Sequence, residues 1–424
     1  MKRFAYLLGL ALAASTAMTA LAAADVTPEA VITHYADVAE AKYGDALATA
    51  KALDAAIEGL LADPTDVTLQ AAKAAWLAAR VPYQQSEVYR FGNAIVDDWE
   101  GRVNAWPLDE GLIDYVDPGY GSDSDENALF TANVIANPSI AINGKTIDAG
   151  QITPQLISET LQEAGGIEAN VASGYHAIEF LLWGQDLNGT GPGAGNRPAT
   201  DYSLDNCTNG NCERRREYLG AASDLLMADL EEMAANWKAG GAARAALEEG
   251  GVAAGLSTIL TGMGSLSYGE LAGERMKLGL LLGDPEEEHD CFSDNTHNSH
   301  HYDAVGIRSA YTGAYTRPDG TEMTGPSLAD LLASKDPAIA AELSTDLNAS
   351  VAAMEAMVER AEKVEAYDQM IAVGNDEGNA TVQAAIDGLI TQTRSIERAI
   401  AALELGAIEL EGSDSLDSPD AVFK

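Results

Sequence analysis

Apolar residues recur at helical spacing along nearly all of the 424-residue chain, whereas the alternating pattern of β-strands is hard to find. Two long polar regions, residues 92–150 and 284–303, interrupt the Ala- and Leu-rich segments. A chain of this length is too long for one small core. We therefore predict an all-α protein of two helical-bundle domains, residues 25–205 and 206–424, similar to each other and joined by long loops, with an acidic tail.

The first 24 residues have the composition of a secretory signal peptide. Lys2 and Arg3 precede an apolar run that ends in the small-residue cleavage site Ala20-Leu21-Ala22. No cysteine lies at this site, so we expect no lipid anchor, and no later stretch reaches the ~18 apolar residues that span a bilayer. We expect an exported, periplasmic protein without an integral membrane segment, and association with the outer membrane stays open.

The chain has 66 acidic and 25 basic residues, which gives a formal net charge of −41. A field of this sign repels nucleic acids and anionic lipid headgroups, so neither is an expected partner. The same field concentrates cations near the surface, which suits a metal-binding protein, although a high net charge also serves solubility alone.

Three cysteines are present. Cys207 and Cys212 enclose a short turn and are expected to form a small disulfide in an oxidising compartment, with metal ligation as the alternative. Cys291 is left over, and we expect it to be a buried, inert thiol.

The segment GYHAIEFLLWGQD, residues 174–186, places polar side chains on an otherwise apolar helix. His176, Glu179, Trp183 and Asp186 are spaced by three, four and three residues and therefore share one helical face. Burying such groups is costly unless they are paired or bind a ligand. A hydrogen-bonded pair and a metal site are both compatible with this spacing.

A second stripe of the same kind follows the helix predicted over residues 66–92. Its members lie four, three, four and three residues apart: Trp76, Arg80, Tyr83, Glu87 and Arg90. Two such faces turned toward each other would form a polar pocket, and helical bundles hold metals with carboxylates and imidazoles from several helices. Because two ligands do not complete a metal site, we expect Glu87 to be the first additional one.

Four of the six histidines lie in the polar region 284–303, which we predict to be a loop. Imidazole and carboxylate ligands suit iron, zinc or copper. Asp294 and His297 are the candidates that reach back to the bundle, whereas the glutamates at 286–288 are expected to be solvated.

A third polar group surrounds Trp106-Pro107, whose proline makes the loop rigid. Asp109, Glu110 and Asp114 follow it, either as site carboxylates or as caps and turn residues. The chain has no His-Glu-x-x-His motif, phosphate loop, dinucleotide fingerprint or Gly-x-Ser-x-Gly elbow.

These blocks resemble a known family. GYHAIEFLLWGQD is similar to the Gly-x-His-x-x-Glu signature of the imelysin family, and other blocks resemble, in the expected order, its iron-regulated protein A branch: YRFGN, NAWPLDEGLIDYV, GNRPATDY, CERRREYL, GERM and EHDCFSDNTH. The resemblance implies an exported helical protein of two similar bundles, associated with iron uptake, with His176 and Glu179 near the domain junction. It also implies a link to peptidases, since the family is classed among them.

We therefore expect His176 and Glu179 to bind iron or an iron chelate, completed by Glu87 and by Asp294 or His297. Six further side chains are expected to line the pocket or to orient the ligands: Arg80, Tyr83, Arg90, Trp106, Trp183 and Asp186. The arginines would also suit an anionic chelate.

Affinity is expected to fall as the pH drops through the imidazole range. A membrane iron-transport component is the expected partner. A zinc-dependent metallopeptidase and a module that binds haem or another organic ligand are the alternatives.

Overall fold

The computed structural model describes residues 26–122, 124–125 and 127–423, so the predicted signal peptide lies outside the described residues. Helices dominate, and the predicted all-α fold is confirmed. The α-helices are α1 (Pro28–Ala62), α2 (Asp66–Gln84), α3 (Ala94–Glu100), α4 (Pro154–Leu156), α5 (Gly174–Trp183), α6 (Cys212–Asn236), α7 (Ala242–Glu249), α8 (Gly251–Ser265), α9 (Leu278–Leu282), α10 (Thr296–Thr312), α11 (Leu328–Lys335), α12 (Pro337–Lys363), α13 (Tyr367–Ile371), α14 (Asp376–Ala402) and α15 (Asp414–Asp417).

The remaining elements are short. Two π-helical segments continue α4 and α8: Ile157–Leu161 and Leu266–Lys277. The 3-10 turns are Glu87–Tyr89, Glu110–Leu112, Pro118–Tyr120, Ala164–Gly166, Ala199–Tyr202, Pro285–Glu287 and Pro419–Ala421. Two antiparallel hairpins pair β1 (Ser139–Ile142) with β2 (Lys145–Asp148) and β3 (Tyr315–Thr316) with β4 (Glu322–Met323).

Helix starts follow the capping signals in the sequence. The Thr27 hydroxyl accepts a hydrogen bond from the Ala30 amide, and Pro28 occupies the first turn of α1, where no amide hydrogen is needed. At the start of α12, the Asp336 carboxylate accepts from the Ala338 and Ile339 amides. These caps satisfy amide groups that the first helical turn leaves without a backbone partner.

Two sets of helices pack around one continuous apolar core that extends from α1 to α14. In the first set, α1 packs along α2 and α6, and α5 lies between α2 and α6. In the second set, α12 packs along α14 and α10, and α14 packs on the π-helix after α8. Helix α10 contacts α2 as well as α12 and so joins the two sets. Because α6 follows residue 205 yet packs on α1 and α5, the predicted domain boundary stays a prediction.

One predicted helix and one predicted loop are shorter in the structure than the sequence indicated. The helix predicted over residues 66–92 ends at Gln84, and a 3-10 turn begins at Glu87. The loop predicted over 284–303 is wrong in its second half, because α10 begins at Thr296. The histidines after that position therefore lie on a helix that packs into the core.

Cys207 and Cys212 are joined by a disulfide that closes the loop before α6, and Cys291 is free and half-buried. None of the described helices combines the length and apolar character needed to cross a bilayer.

Gly262 allows α8 to pack directly against the turn after α2. A Cβ atom at this position would overlap the carbonyl oxygen of Val88, so we expect Gly262→Ala to lower the free energy of unfolding by about 1–3 kcal/mol. Gly44 in α1 has no atom within 4 Å of its Cβ position, so Gly44→Ala is the matched control and should raise stability by about 0.5–1 kcal/mol. Urea unfolding of both variants measures the difference, and equal effects would contradict the close contact.

Candidate metal centre

Helix α5 carries the Gly-x-His-x-x-Glu motif, and the backbone conformation and close packing at its first residue require a glycine. Gly174 has a φ of +81°, and a Cβ there would overlap the backbone of Val103. The Tyr175 amide donates a hydrogen bond of 2.7 Å to the Val103 carbonyl, which holds the helix start against this segment. His176 therefore enters the protein interior in the first turn of α5, where it is 1 % exposed.

His176 and Glu179 contact each other on one face of α5. The distance from His176 Nδ1 to Glu179 Oε2 is 3.1 Å, and both side chains are buried. The other carboxylate oxygen of Glu179 accepts hydrogen bonds from the Ser293 amide, at 3.0 Å, and from its hydroxyl, at 2.7 Å. Glu179 thus links the imidazole to the segment that precedes α10.

Two residues of that segment face His176. His176, His289 and Asp290 each offer one ligand atom, and these atoms lie within 4.8 Å of one another. The ring centroids of His176 and His289 are 4.6 Å apart, and the ring of His300 on α10 lies 6.4 Å from that of His289. Three elements of the chain therefore bring imidazoles into one buried cluster.

Several imidazole nitrogens in this cluster have no hydrogen-bond partner among the described residues. They are Nε2 of His176 and both ring nitrogens of His289, all of them buried. Leaving buried polar atoms without partners is costly. A metal ion would supply the missing partner, and two imidazoles with one carboxylate are a common ligand set for Fe²⁺ and for Zn²⁺.

Asp290 is held by polar groups on both of its oxygens. Arg80 Nη2 donates to Oδ1 at 2.8 Å, and Asn295 Nδ2 donates to Oδ2 at 2.8 Å, together with the Ser299 hydroxyl. Arg80 in turn donates from Nη1 to Asn104 Oδ1 at 2.6 Å. The Arg80–Asp290 ion pair is fully buried, which fixes the carboxylate next to the imidazoles.

Burial sets the protonation of the cluster. Loss of hydration, reinforced by the positive charge of Arg80, lowers the pKa of His176 to about 3. Burial, followed by repulsion from Asp290, raises the pKa of Glu179 well above its usual value. Burial alone would raise the pKa of Asp290 as well, but Arg80 and the other donors hold it below its usual value. Burial therefore favours the neutral forms of His176 and Glu179, whereas Arg80 favours the charged form of Asp290.

The structure places Glu87 and Arg90 in a different network. Glu87 forms an ion pair of 2.9 Å with Arg275, which also pairs with Glu270 at 2.8 Å. Arg90 pairs with Asp97 at 2.8 Å and is partly exposed. Neither side chain is brought to the His176 cluster, so Glu87 as a metal ligand stays a prediction without a supporting contact.

Of the predicted pocket residues, Arg80 and Trp106 reach the cluster. The ring of Trp106 contacts that of His289 edge-on at a centroid distance of 5.7 Å. Tyr83 lies one turn beyond Arg80 on α2, and its ring packs against that of Tyr175 at a centroid distance of 4.8 Å.

Trp183 and Asp186 are not part of the cluster: Trp183 is the last residue of α5, and Asp186 lies beyond the end of that helix. Gly184, with a φ of +73°, turns the chain, so the prediction that Asp186 lies on the same helical face is wrong. Trp183 packs on Trp76 at 5.3 Å and lines a surface cavity of about 390 Å³. Asp186 accepts a hydrogen bond from the Asn188 amide at 2.9 Å.

Asp294 and His297 are not in the His176 cluster either. His297 is half-buried on α10 and contacts Asn298. Asp294 groups with Glu288 and Asp368, so the expectation that residue 288 is solvated is wrong: it is 1 % exposed. Burial and the neighbouring carboxylates raise the pKa of Asp294 to about 7.

His289 and Asp290 are the residues that the sequence patterns missed. Both lie in the EHDCFSDNTH block, between the glutamate run and Cys291. The signal was an imidazole and a carboxylate adjacent to two apolar residues, Cys291 and Phe292, which favours a buried segment over a solvated one.

A cavity of about 270 Å³ between α2 and α10 adjoins the Asp290 side of the cluster. Its lining includes Arg80, Asn295 and Ser299, the three side chains that donate to Asp290. The cavity therefore lies directly behind the side chains that hold Asp290.

Comparisons with known proteins agree with this fold. Over 71 residues the chain is 35% identical to iron-regulated protein A of Synechococcus elongatus, a match over 16% of this chain and 20% of that protein. The chain thus spans about a fifth of the length of this curated relative.

Two solved structures resemble the whole chain. One, described as an iron-regulated protein A precursor from Parabacteroides distasonis, has 18% identity and a TM-score of 0.62 over 90% of this chain and 97% of that one. The other, an imelysin-like protein from Psychrobacter arcticum, has 19% identity and a TM-score of 0.56 over 91% and 98%. At this identity the likeness shows the fold.

The family model described as Imelysin, which also carries a peptidase designation, matches residues 39–396. The resemblance seen in the sequence motifs is thereby confirmed. Since the match extends over most of the chain, this protein belongs to the imelysin family.

Proposed function

We propose that this protein binds one iron ion as cargo at His176, His289 and Asp290 and takes part in iron uptake. The observation that carries the proposal is the convergence of two imidazoles and one carboxylate in a buried cluster, in which His176 Nε2 and both ring nitrogens of His289 have no hydrogen-bond partner among the described residues. Two histidines with one carboxylate are typical of Fe²⁺ sites with open positions. The name of the Synechococcus relative supports iron as the ion.

In this proposal Glu179 positions His176 rather than completing the ligand set. Its Oε2 lies beside Nδ1, so an Nδ1–H···O hydrogen bond leaves Nε2 free to bind the ion. Such carboxylate–imidazole pairs fix the ring tautomer and strengthen the ligand. Ser293 holds the carboxylate through two hydrogen bonds and so fixes the orientation of the pair.

Arg80 favours a bare ion over an anionic chelate. Its Nη1 and Nη2 groups already donate hydrogen bonds to Asn104 and Asp290, so they are not available to bind the carboxylates of a chelate. The adjoining cavity of about 270 Å³ is also smaller than the ~300 Å³ at which pockets for drug-sized ligands begin, which disfavours haem.

A zinc peptidase is the alternative that the family designation supports. The ligand set suits zinc as well as iron. A peptidase must place a peptide bond next to the metal, however, and His176, His289 and Asp290 are at most 2 % exposed. Cargo binding requires access for an ion alone, and it therefore fits the buried cluster better.

We further propose that the protein is exported to the periplasm and that it transfers iron to a membrane transport component. The supporting observations are the leader-like first residues and the net charge of −41, which attracts cations to the surface.

Anaerobic calorimetry with Fe²⁺ tests the ligand assignment. We expect one ion per chain for the wild type and an affinity at least about a hundredfold lower for His176→Ala and for His289→Ala, because each removes a donor atom. His301→Ala is the matched control: this half-buried histidine contacts Tyr302 and lies outside the cluster, so its variant should bind like the wild type. Equal binding by the wild type and both ligand variants would refute the site, and tight binding of Zn²⁺ with none of Fe²⁺ would refute iron.

Proton release tests the role of Glu179. Burial raises the pKa of Glu179, so its carboxyl keeps a proton to a higher pH than a free one, and accepting the Nδ1–H bond of an iron-bound His176 requires that proton to leave. Iron affinity should therefore increase with pH. The sequence assigned this pH dependence to imidazole, but His176, with a pKa of about 3, is already neutral at mildly acidic pH.

Calorimetry in buffers of different ionisation enthalpy should show about one proton released per ion by the wild type and close to none by Glu179→Gln, whose amide oxygen can still accept from Nδ1. An unchanged proton count in this variant would assign the titration to another group.

A further inference from the structure

A second group of buried acidic side chains lies outside the His176 cluster. Glu288, Asp294 and Asp368 each offer one carboxylate oxygen, and these oxygens lie within 4.8 Å of one another. The three come from separate places: the turn before His289, the residue before Asn295 and helix α13. Glu288 and Asp294 lie in one segment, and the fold brings Asp368 to them from a distant part of the chain.

These carboxylates have oxygens without partners among the described residues. No side chain donates to Glu288 Oε2, Asp294 Oδ1 or either carboxylate oxygen of Asp368 there, and Glu288 and Asp368 are each 1 % exposed. The other polar contacts are the Thr296 hydroxyl with the Glu288 carboxyl and the Gln369 amide with Asp368. An isolated buried carboxylate is costly because it has lost its hydration. Three such groups directed at one another compound that cost.

The charged neighbours of the cluster are also acidic. Glu288 is repelled by Asp294 and Asp368, and both of these are repelled by Asp186. Asp290 offers a contrast, because Arg80 compensates its charge at 2.8 Å. Within the described part of the chain, the charged groups that act on these three carboxyls are acidic, so a bound cation would compensate their charge.

We propose that Glu288, Asp294 and Asp368 form a binding site for a hard divalent cation of the calcium class, separate from the iron centre. The donors are all oxygen atoms, which hard cations prefer, and no imidazole is among them. Ca²⁺ binds oxygens at about 2.3–2.6 Å, so two oxygens on one ion can lie up to about 5 Å apart, as they do here. Mg²⁺ has shorter bonds and a stricter octahedral geometry and fits this open arrangement less well.

A path of acidic side chains leads to this site from the surface. A small cavity is lined by Glu110, Asp186, Glu286 and Glu288, of which Glu286 is exposed. A cleft lined by one sign of charge raises the local concentration of the opposite ion. This acidic cavity adjoins the proposed site at Glu288.

Thermal unfolding of chelator-treated protein with added CaCl₂ tests the proposal. We expect a saturable rise in melting temperature for the wild type and at least a tenfold weaker response for Asp368→Asn and Glu288→Gln. Glu287→Gln is the matched control, because this half-buried neighbour lies outside the cluster and should respond like the wild type. MgCl₂ at equal concentration should give a smaller rise.

Two further comparisons keep the outcome interpretable. Without calcium, Asp368→Asn should melt at a higher temperature than the wild type, because it removes repulsion between buried carboxylates; this separates a folded variant from an unfolded one. His176→Ala should keep the calcium response even if it binds no iron, so failure of either site leaves the other testable. An equal response of the wild type and Asp368→Asn, or no response of the wild type, would overturn the proposal.

Discussion

The buried ion pair between Arg80 and Asp290 is the contact on which the candidate centre depends. It joins α2 to the segment before α10 across 210 positions of sequence. Removing one member of such a pair leaves an uncompensated charge and costs about 3–5 kcal/mol. Because Asp290 is held where Arg80 reaches it, His289 is held beside His176 as the adjacent residue. The ion pair thus determines both the position of the carboxylate and the meeting of the two imidazoles.

Buried arginines compensate carboxylates in other parts of this acidic chain as well. Arg275 neutralises Glu87, and Arg215 neutralises Asp114. Not every buried carboxyl has such a partner: Glu288 and Asp368 form no ion pair among the described residues. Where an arginine is present, as at Asp290, it compensates the charge of the carboxylate and fixes its position. Where none is present, as at Glu288, a bound cation is the compensation that the fold leaves open.

The periodicity of the sequence was sufficient to predict the helical fold and one pair of residues in the candidate centre. His176 and Glu179 were predictable because a three-residue spacing on one helix places two side chains together whatever the tertiary structure does. His289 and Asp290 were not, since their approach depends on a long-range ion pair that no local pattern encodes. Glu87 stays a prediction without a supporting contact: its carboxylate forms an ion pair with Arg275, which is distant in sequence and which no local pattern could indicate.

The origin of the ligands also determines how the proposed iron ion could leave. His176 belongs to α5, which packs on α2 and α6, whereas His289 and Asp290 lie next to each other in the segment that leads into α10. A movement of that segment would withdraw two of the three ligands in one step and break the contact of Ser293 with Glu179. Retention and release of the ion would then follow a single local opening, and burial of the cluster would keep exchange slow while the segment stays closed.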